Sequence, residues 1–496
     1  MIRNDTASLQ DSARFFEPRS IAVIGSPREA FFGGYVVVKS LVSSGYKGRI
    51  YPVNPGCKDI LGIRAYASIK EVDGEIDAAL IMINARRVPQ VLKECGEKGV
   101  KAVTVVSDGF AERNGEGVRL QQEILEIARQ SGIRMIGPNT VGVVNTANGY
   151  NPCPYAAGSY YTLKAGPVAI SSQTGMTNPQ AFPYMDFNIG VSKICDFGNK
   201  CDLDECDLLL YLDKDPATKV ASMYVESVRD GKRFLETARK VTKHKPVCIL
   251  KSGRTLQGAK ASASHTGSIA VDDRIFDSLC RQAGILRLNK WHELFDVPKI
   301  FAHQPLPRGN RIGIVSYTGG VGVLATDEGA KYGLEPATLT PGTSALLEEV
   351  FPGFGKTPVD IGPVAPAVPD FFTSFPRILE AVIGDDQVDA LLMVIWADPT
   401  SNNNTEACLE AYERLRRTHQ KPVATWIYGP EVSMARDLAN QLEDMGYPVF
   451  SDSETAVKAL GLAFHYSQFR ESYERNRTWA TKDKGIHLEG GGPQPR

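Results

Sequence analysis

The chain has 496 residues, 43% of them hydrophobic and 23% charged, with a formal net charge of -1. That length suits three domains of ordinary size, and the near-neutral balance gives no electrostatic ground for nucleic acid or an anionic membrane surface as a partner. No apolar run approaches a membrane span, the N-terminus MIRNDTASLQDSARFF lacks the apolar core of a signal peptide, and nine cysteines without framework spacing fit a reducing compartment, so the expected location is cytoplasmic.

In chain order, short β-branched runs alternate with amphipathic stretches, the pattern of parallel α/β folds. The first segment, residues 1–150, offers strands SIAVIG (20–25), RIYPVN (49–54), AALIMI (78–83), KAVTVVS (101–107) and RMIG (134–137). Between them, VPQVLKECGEKG and RLQQEILEIARQSG read as helices. Strands this continuously apolar are covered on both faces. A turn-rich break, GYNPCPYAAGSYYTLKAG, leads to the second segment (151–305), with strands PVAISSQTG, VSKICDFG, VASMYVES, PVCILKSG and ILRLN. A Pro-rich joint, HQPLPRGN (303–310), opens a third round (306–470): RIGIVSYTGG, DALLMVIWAD, KPVATWIYG and YPVFSD. The remainder, 471–496, is expected to be a disordered tail. The layout predicts three consecutive Rossmann/flavodoxin-like parallel-sheet domains.

In such sheets ligands bind beyond the carboxyl ends of the strands, and the turns there carry the informative residues. Gly25 and Ser26 end the first strand, and Gly33 and Gly34 open a helix whose N-terminus can receive a phosphate. The spacing is not that of a GxGxxG dinucleotide site. At the end of the second strand stand Asn54, Pro55 and Lys58, where an NAD site wants an acid for the ribose hydroxyls. A basic residue there suits a phosphate better; a turn without a ligand is the other reading. The stretch GFGKT (353–357) lacks the first glycine of a Walker loop, which would fall at Val350. Cys195, Cys201 and Cys206 cluster, but their spacing matches no zinc or iron–sulfur pattern, so no metal site is expected.

The middle segment holds the chemistry. His265 sits in KSGRTLQGAKASASHTGSIA (251–270), a run of small and hydroxyl residues too small to pack a core. A histidine there can act as a nucleophile toward phosphorus, or be a loop histidine bonded to a carbonyl. SSQTGM (171–176), with Ser172, Gln173, Thr174 and Gly175, reads as a strand end running into a helix and a cradle for phosphate. Glu226 ends an apolar strand; it either orients an imidazole or caps an element.

Taken together, FFEPRSIAVIG, GRIYPVNP, GVKAVTVVSDGF, IGPNTVGVVN, AISSQTG, DFGNKCDLDECDLLLYL, SVRDGKRF, KPVCILKSGR and SASHTGS resemble the ADP-forming acyl-CoA synthetases, relatives of succinyl-CoA synthetase, over residues 14–465. The resemblance implies coenzyme A bound through Gly25, Ser26, Gly33, Asn54, Pro55 and Lys58, with Gly137, Pro138 and Asn139 near the thiol end. It implies phosphorylation of His265, with Glu226 as its orienting carboxylate and Ser172, Gln173, Thr174 and Gly175 on the phosphate. The family's ATP-grasp domains have no counterpart in this sequence. The resemblance therefore implies an ATP-grasp β partner carrying ADP or ATP with Mg, in an α2β2-like hetero-oligomer that interconverts an acyl-CoA and its carboxylic acid. A non-catalytic CoA-binding regulator is the alternative, and a fused acyltransferase lacks the sequence to house it. Where the family has Gln-Ser-Gly-Ala this chain has Gln173-Thr174-Gly175-Met176, Thr140 stands where Cys or Ser is common, and IAV follows His265 where LAG is usual. Met176 and the linker residues Tyr155, Tyr160 and Tyr161 are placed to reshape an acyl pocket, which sets acetate in question as substrate. Phe182, Tyr184 and Phe187 either favour a larger or aromatic acid or pack a core.

Overall fold

The computed structural model describes residues 5–156, 163–184, 187–266, 272–362, 371–397 and 406–483. The chain divides into two compact units, Met1–Ala302 and His303–Arg496; the first carries two large parallel sheets and the second one. This is the expected α/β class. Among the described residues no helix is long and apolar enough to cross a membrane.

The first sheet runs, edge to edge, Arg49–Val53, Ser20–Ile24, Ala78–Ile81, Ala102–Val105 and Arg134–Ile136, all parallel. Numbered along the chain this is the order 2-1-3-4-5, so the order reverses between Ser20–Ile24 and Ala78–Ile81. The strands are mostly apolar because helices lie on both faces. Val36, Val37, Val38 and Leu41 are buried on helix Gly34–Ser43, and Leu92 and Cys95 on Val88–Glu97. The next helix, Gly115–Ser131, is bounded by its own sequence. The Asn114 side chain accepts from the N–H groups of Glu116 and Gly117, and Gly132 ends the helix in the left-handed region at φ 64°.

The second sheet runs Leu286–Leu288, Val247–Lys251, Val220–Val225, Ala165–Ser172, Val191–Asp196 and then Val143–Asn145, the last antiparallel. Without that edge strand the order is again 2-1-3-4-5, with its reversal between Ala165–Ser172 and Val220–Val225. Val143–Asn145 lies inside the segment 1–150 of the sequence reading, so the chain passes from one sheet to the other over residues 137–142. An apolar core extends from Ile21, Val23 and Leu80 to Met223 and Ile249, with the rings of Phe16 and Tyr211 stacked at 4.9 Å between them.

In the second unit the sheet runs Glu335–Pro336, Arg311–Ser316, Ala390–Trp396, Val423–Tyr428 and Val449–Phe450, with Val359–Asp360 also on Arg311–Ser316. The two-residue strands Glu335–Pro336 and Val359–Asp360, and the hairpin Asp59–Ile60 with Ile63–Arg64, are too short to show a hydrophobic period. Helix Ser453–Asp483 continues into the stretch read as a disordered tail; 484–496 lie outside the described residues. At GFGKT the backbone N–H groups of Gly353 and Gly355 are taken by the two carboxylate oxygens of Glu348, at 2.8 and 2.9 Å.

A buried cation ties the first sheet to the segment that follows Val191–Asp196 of the second. Arg134, on the last strand of the first sheet, has a side chain only 8% exposed and reaches Asp11 at 2.8 Å, Asp202 at 2.9 Å and Asp207 at 3.4 Å. Replacing it by Met leaves buried carboxylates short of a cation. We expect Arg134→Met to lose about 3–5 kcal/mol of unfolding free energy in urea denaturation. Arg134→Lys should recover only part of this, because an ammonium lacks the guanidinium fork.

Candidate active site

The turn after the first strand closes only because glycines meet there. A Cβ on Gly25 would lie 3.2 Å from the Gly34 nitrogen, and one on Gly34 would lie 3.1 Å from the Ser26 carbonyl oxygen. Gly33 sits at φ 143° and precedes helix Gly34–Ser43, which has no side-chain cap. The amide of Asn54 donates to the Gly25 carbonyl at 2.8 Å and accepts from Gly56 N–H at 2.8 Å, so it ties the ends of two neighbouring strands. Pro55 and Lys58 are exposed on the same edge. A backbone brought this close to an uncapped helix N-terminus is a cradle that suits a phosphate group.

The crossing segment is equally tight. Gly137 has φ 95°, and a Cβ there would lie 2.5 Å from the Val105 carbonyl oxygen. Pro138 follows in a cis peptide, and Asn139 has φ 59°. Hydrogen bonds strap the segment to both sheets: Asn139 N–H donates to Ser107 O at 2.9 Å, and Asn199 N–H to Pro138 O at 2.9 Å. Beside it lies a cleft of about 890 Å³, lined by Met82 and Ser107 from the first sheet, by Asn139 and Thr140 from the crossing, and by Gln173 and Asp196 from the second. Thr174 and Gly175 also line it. Gly25, Ser26, Gly33, Asn54, Pro55 and Lys58 do not; their loop reaches the cleft through Phe31 and Phe32.

At the order reversal of the second sheet, Gln173 follows one strand and Glu226 the other. The Gln173 side-chain oxygen accepts from Glu226 N–H at 2.8 Å, from Ser227 N–H at 3.3 Å and from the Lys200 ammonium at 3.3 Å. Lys200 is buried in the left-handed region at φ 54°, with its ammonium 2.7 Å from Glu205 and 2.6 Å from the Ser227 carbonyl. Glu226 is 4% exposed and accepts from the Tyr224 hydroxyl at 3.2 Å. It does not cap the following helix: Asp230 does, accepting from Arg233 N–H. The Ser172 hydroxyl is enclosed, donating to Thr174 O at 2.5 Å and lying 2.6 Å from the Thr177 hydroxyl. The expected helix after SSQTGM is a single 3-10 turn, Gly175–Thr177. His265 lies in the last turn of helix Leu256–Thr266, where the sequence reading places a loop; its side chain is outside the described residues.

Several groups lie beyond the site residues expected from the sequence. Asp196, 2% exposed, accepts from Val141 N–H at 2.7 Å and Gly198 N–H at 3.1 Å. Burial pushes its carboxyl up to about 6, against the pull of those N–H donors and the Thr140 hydroxyl, with Glu226 adding to the rise. Lys251 ends strand Val247–Lys251 at 1% exposure, donating to Ser252 O at 2.9 Å; burial lowers its pKa. A charged residue closing an apolar strand was the available signal for both. Cys195, Cys201 and Cys206 are buried, and burial pushes the Cys201 thiol up to about 12. Among the described residues no group of three or more His, Cys, Asp or Glu is placed to hold a metal. Phe182, Tyr184 and Phe187 gather on Phe295, with Phe182 stacked on it at 3.5 Å, which is packing rather than a pocket. Tyr160 and Tyr161 lie outside the described residues.

Comparison with known proteins matches two parts of the chain to known families. Residues 19–146 match the family described as CoA binding domain, and residues 165–301 the family described as succinyl-CoA ligase like flavodoxin domain. The chain is 38% identical over 455 residues to the Pyrococcus furiosus protein named acetate–CoA ligase (ADP-forming) II subunit alpha, covering 90% of this chain and 95% of that relative. It is 37% identical over 468 residues to acetate–CoA ligase (ADP-forming) II of Archaeoglobus fulgidus, covering 93% of this chain and 68% of the relative. The solved structure of Ca. Korarchaeum cryptofilum dinucleotide forming acetyl-coenzyme A synthetase 1, in complex with phosphate and ADP, superposes with a TM-score of 0.83 at 30% identity, over 94% of this chain and 98% of that one.

Asp196 makes a prediction about pH. Its carboxyl is raised from 3.8 to about 6, so the folded chain keeps this proton to a higher pH than the unfolded chain does. The stability it contributes is complete below pH ~4 and falls by roughly 3 kcal/mol as pH climbs to ~6. Asp196→Asn removes that fall. The difference in unfolding free energy, variant minus wild type, should therefore rise across this window in denaturation curves taken at stepped pH.

Proposed function

The chain belongs to the family of ADP-forming acyl-CoA synthetases, as an α-subunit-like member, and on that premise we propose that it binds coenzyme A and carries the phosphoryl group on His265 in the reaction acyl-CoA + ADP + phosphate ⇌ carboxylic acid + CoA + ATP. The observation that carries this reading is the meeting of two strand-order reversals in one unit. The first presents the Gly25–Gly34 cradle, and the second joins Gln173 to Glu226. The cleft holding Asn139, Thr140 and Gln173 lies between the strand ends of the two sheets.

Gly25, Ser26, Gly33, Asn54, Pro55 and Lys58 would hold coenzyme A, with Gly137, Pro138 and Asn139 toward its thiol. When bound, the coenzyme supplies the thioester sulfur as leaving group. A phosphate oxygen attacks the acyl carbonyl, giving an acyl phosphate and releasing the thiol. One imidazole nitrogen of His265 then attacks phosphorus, and the carboxylate leaves with the electrons of its P–O bond. Glu226, buried and bonded to Tyr224, would take the proton of the other imidazole nitrogen in a hydrogen bond and stabilise the charge that develops. In this scheme the phosphate lies against the turn at Gly175, which the Ser172 hydroxyl shapes by accepting from Thr174 N–H at 3.4 Å and donating to Thr174 O.

Transfer from phosphohistidine to ADP needs a nucleotide site, which this reading assigns to an ATP-grasp β partner carrying ADP or ATP with Mg. The Pyrococcus relative is named as an α subunit, which supports a separate partner. The Archaeoglobus relative extends beyond the part this chain matches. An α2β2-like assembly in the cytoplasm completes the proposal.

With labelled phosphate and an acyl-CoA, the wild-type chain should gain acid-labile, alkali-stable label, and His265→Ala should gain none. Glu226→Gln should slow labelling by about 10²-fold, the scale of a positioned proton-handling group. Coenzyme A binding without label under any acyl-CoA, with or without an ATP-grasp partner, would instead identify a CoA-binding regulator.

A further inference from the structure

Among the described residues that line the cleft beside the crossing segment, Asp108, Tyr155 and Asp196 carry side chains that titrate in water. Two of them are unsuited to exchanging a proton there. Asp108 is largely exposed and paired with Arg113 at 2.6 Å, and burial pushes the Tyr155 phenol above its usual value of 10. Asp196 differs from both. It is 2% exposed and ends strand Val191–Asp196, opposite Ser172 in the parallel pairing. Its carboxylate accepts from Val141 N–H at 2.7 Å and from Gly198 N–H at 3.1 Å, which ties it to the crossing segment and to its own turn. Asn139 and Thr140, toward the expected thiol end, share the cleft with Gln173, Thr174 and Gly175, expected on the phosphate. Asp196 lines the cleft with both groups.

The thioester half of the proposed reaction moves a proton that Glu226 and His265 do not handle. A phosphate oxygen that attacks while carrying hydrogen must give it up, and the departing sulfur must gain one. We propose that Asp196 is the acid–base group of this half-reaction, taking the proton from the attacking phosphate oxygen and returning it to the sulfur. The inference deepens the acyl-CoA synthetase reading and rests on it. A C–O bond forms at the acyl carbon as the O–H bond breaks toward the Asp196 carboxylate. The C–S bond then breaks, its electron pair goes to sulfur, and the proton held by Asp196 completes the S–H bond. The carboxylate is regenerated, so acyl phosphate and thiol are released with no net change in protons. Burial raises the Asp196 carboxyl to about 6 against the pull of its N–H donors. Near neutral pH it is therefore mostly ionised and ready to accept, yet basic enough to hold a proton for one step. Glu226, at the neighbouring strand end, adds to that rise. Cys195 and Tyr155 feel the charge of Asp196 and keep their own protons, and the Lys200 ammonium is bound to Glu205 at 2.7 Å.

The test separates the two half-reactions on the full chain, with and without an ATP-grasp partner. In the first, arsenate replaces phosphate, because an acyl arsenate hydrolyses at once and thiol release can be followed without ADP. A panel of acyl-CoA thioesters beginning with acetyl-CoA is used. In the second, the labelled acyl phosphate of the same acid is supplied and label on His265 is measured, a step in which no sulfur leaves. Asp196→Asn should slow thiol release by about 10²-fold and leave labelling at the wild-type rate. The wild-type advantage should shrink as pH falls below about 6, where Asp196 already holds a proton. A further measurement needs no variant: in ultraviolet titration, CoA bound to wild type should ionise its thiol at a higher pH than free CoA, because a carboxylate beside sulfur opposes the thiolate. A bound thiol that ionises at the same or a lower pH would overturn the inference. So would equal slowing of both half-reactions, or unchanged thiol release, in Asp196→Asn. These results leave the synthetase reading standing, whereas wild type that neither binds CoA nor gains label would sink that reading and the inference with it.

Discussion

Parallel strands deliver all their carboxyl ends to one edge of a sheet, and where the strand order reverses the crossovers diverge and leave a crevice there. Both sheets of the first unit obey this constraint with the same 2-1-3-4-5 order. The first reversal places Gly25 and Met82 at the edge, and the second places Gln173 and Glu226. Residues distant in sequence thus meet because of topology, before any side-chain preference is considered.

The two edges stay in register through a short crossing and a set of buried charges. Residues 137–142 have no room for side chains at Gly137, and they are bonded to both sheets. Behind the crossing, Arg134 gathers Asp11, Asp202 and Asp207, while Arg233 shares Asp207 and takes Asp204. Buried ion pairs of this kind contribute little net stability, because desolvation offsets most of the Coulomb gain. Their geometry is nevertheless demanding. Lys200 shows this most clearly: with Glu205 it forms a pair buried to 2% and 1%, and its third donor orients Gln173 against the Glu226 turn. The charges therefore set positions more than they add free energy.

Aromatic residues divide into two populations by what covers them. Phe182, Tyr184, Phe187 and Phe295 cover one another. Phe31 and Phe32 have Tyr155 on one side and the cleft on the other. Composition alone cannot separate these cases, since each group is a run of rings near a strand end.

The amino-acid pattern by itself determined the strands, because a strand covered on both faces must be apolar along its length. SIAVIG, AALIMI and DALLMVIWAD form where their sequence says they should. It also marked the glycine turn at Gly25, Gly33 and Gly34, and it singled out Glu226 as a carboxylate closing an apolar strand, whereas the turn at Gly137 falls where the sequence reads as strand. Tertiary structure decided the rest. Val143–Asn145 joins the second sheet although it follows the first along the chain, and two-residue strands are too short to carry a period. The turn after Gln173 closes in one 3-10 turn because the Ser172 hydroxyl is spent on Thr174 and Thr177. Asp196 and Lys200 gained their roles only through burial beside partners 5 to 55 residues away, and Lys251 through burial beside neighbouring carbonyls. Periodicity reports which face of an element is dry. It carries no information on which distant element covers that face, and the contents of the cleft depend on that.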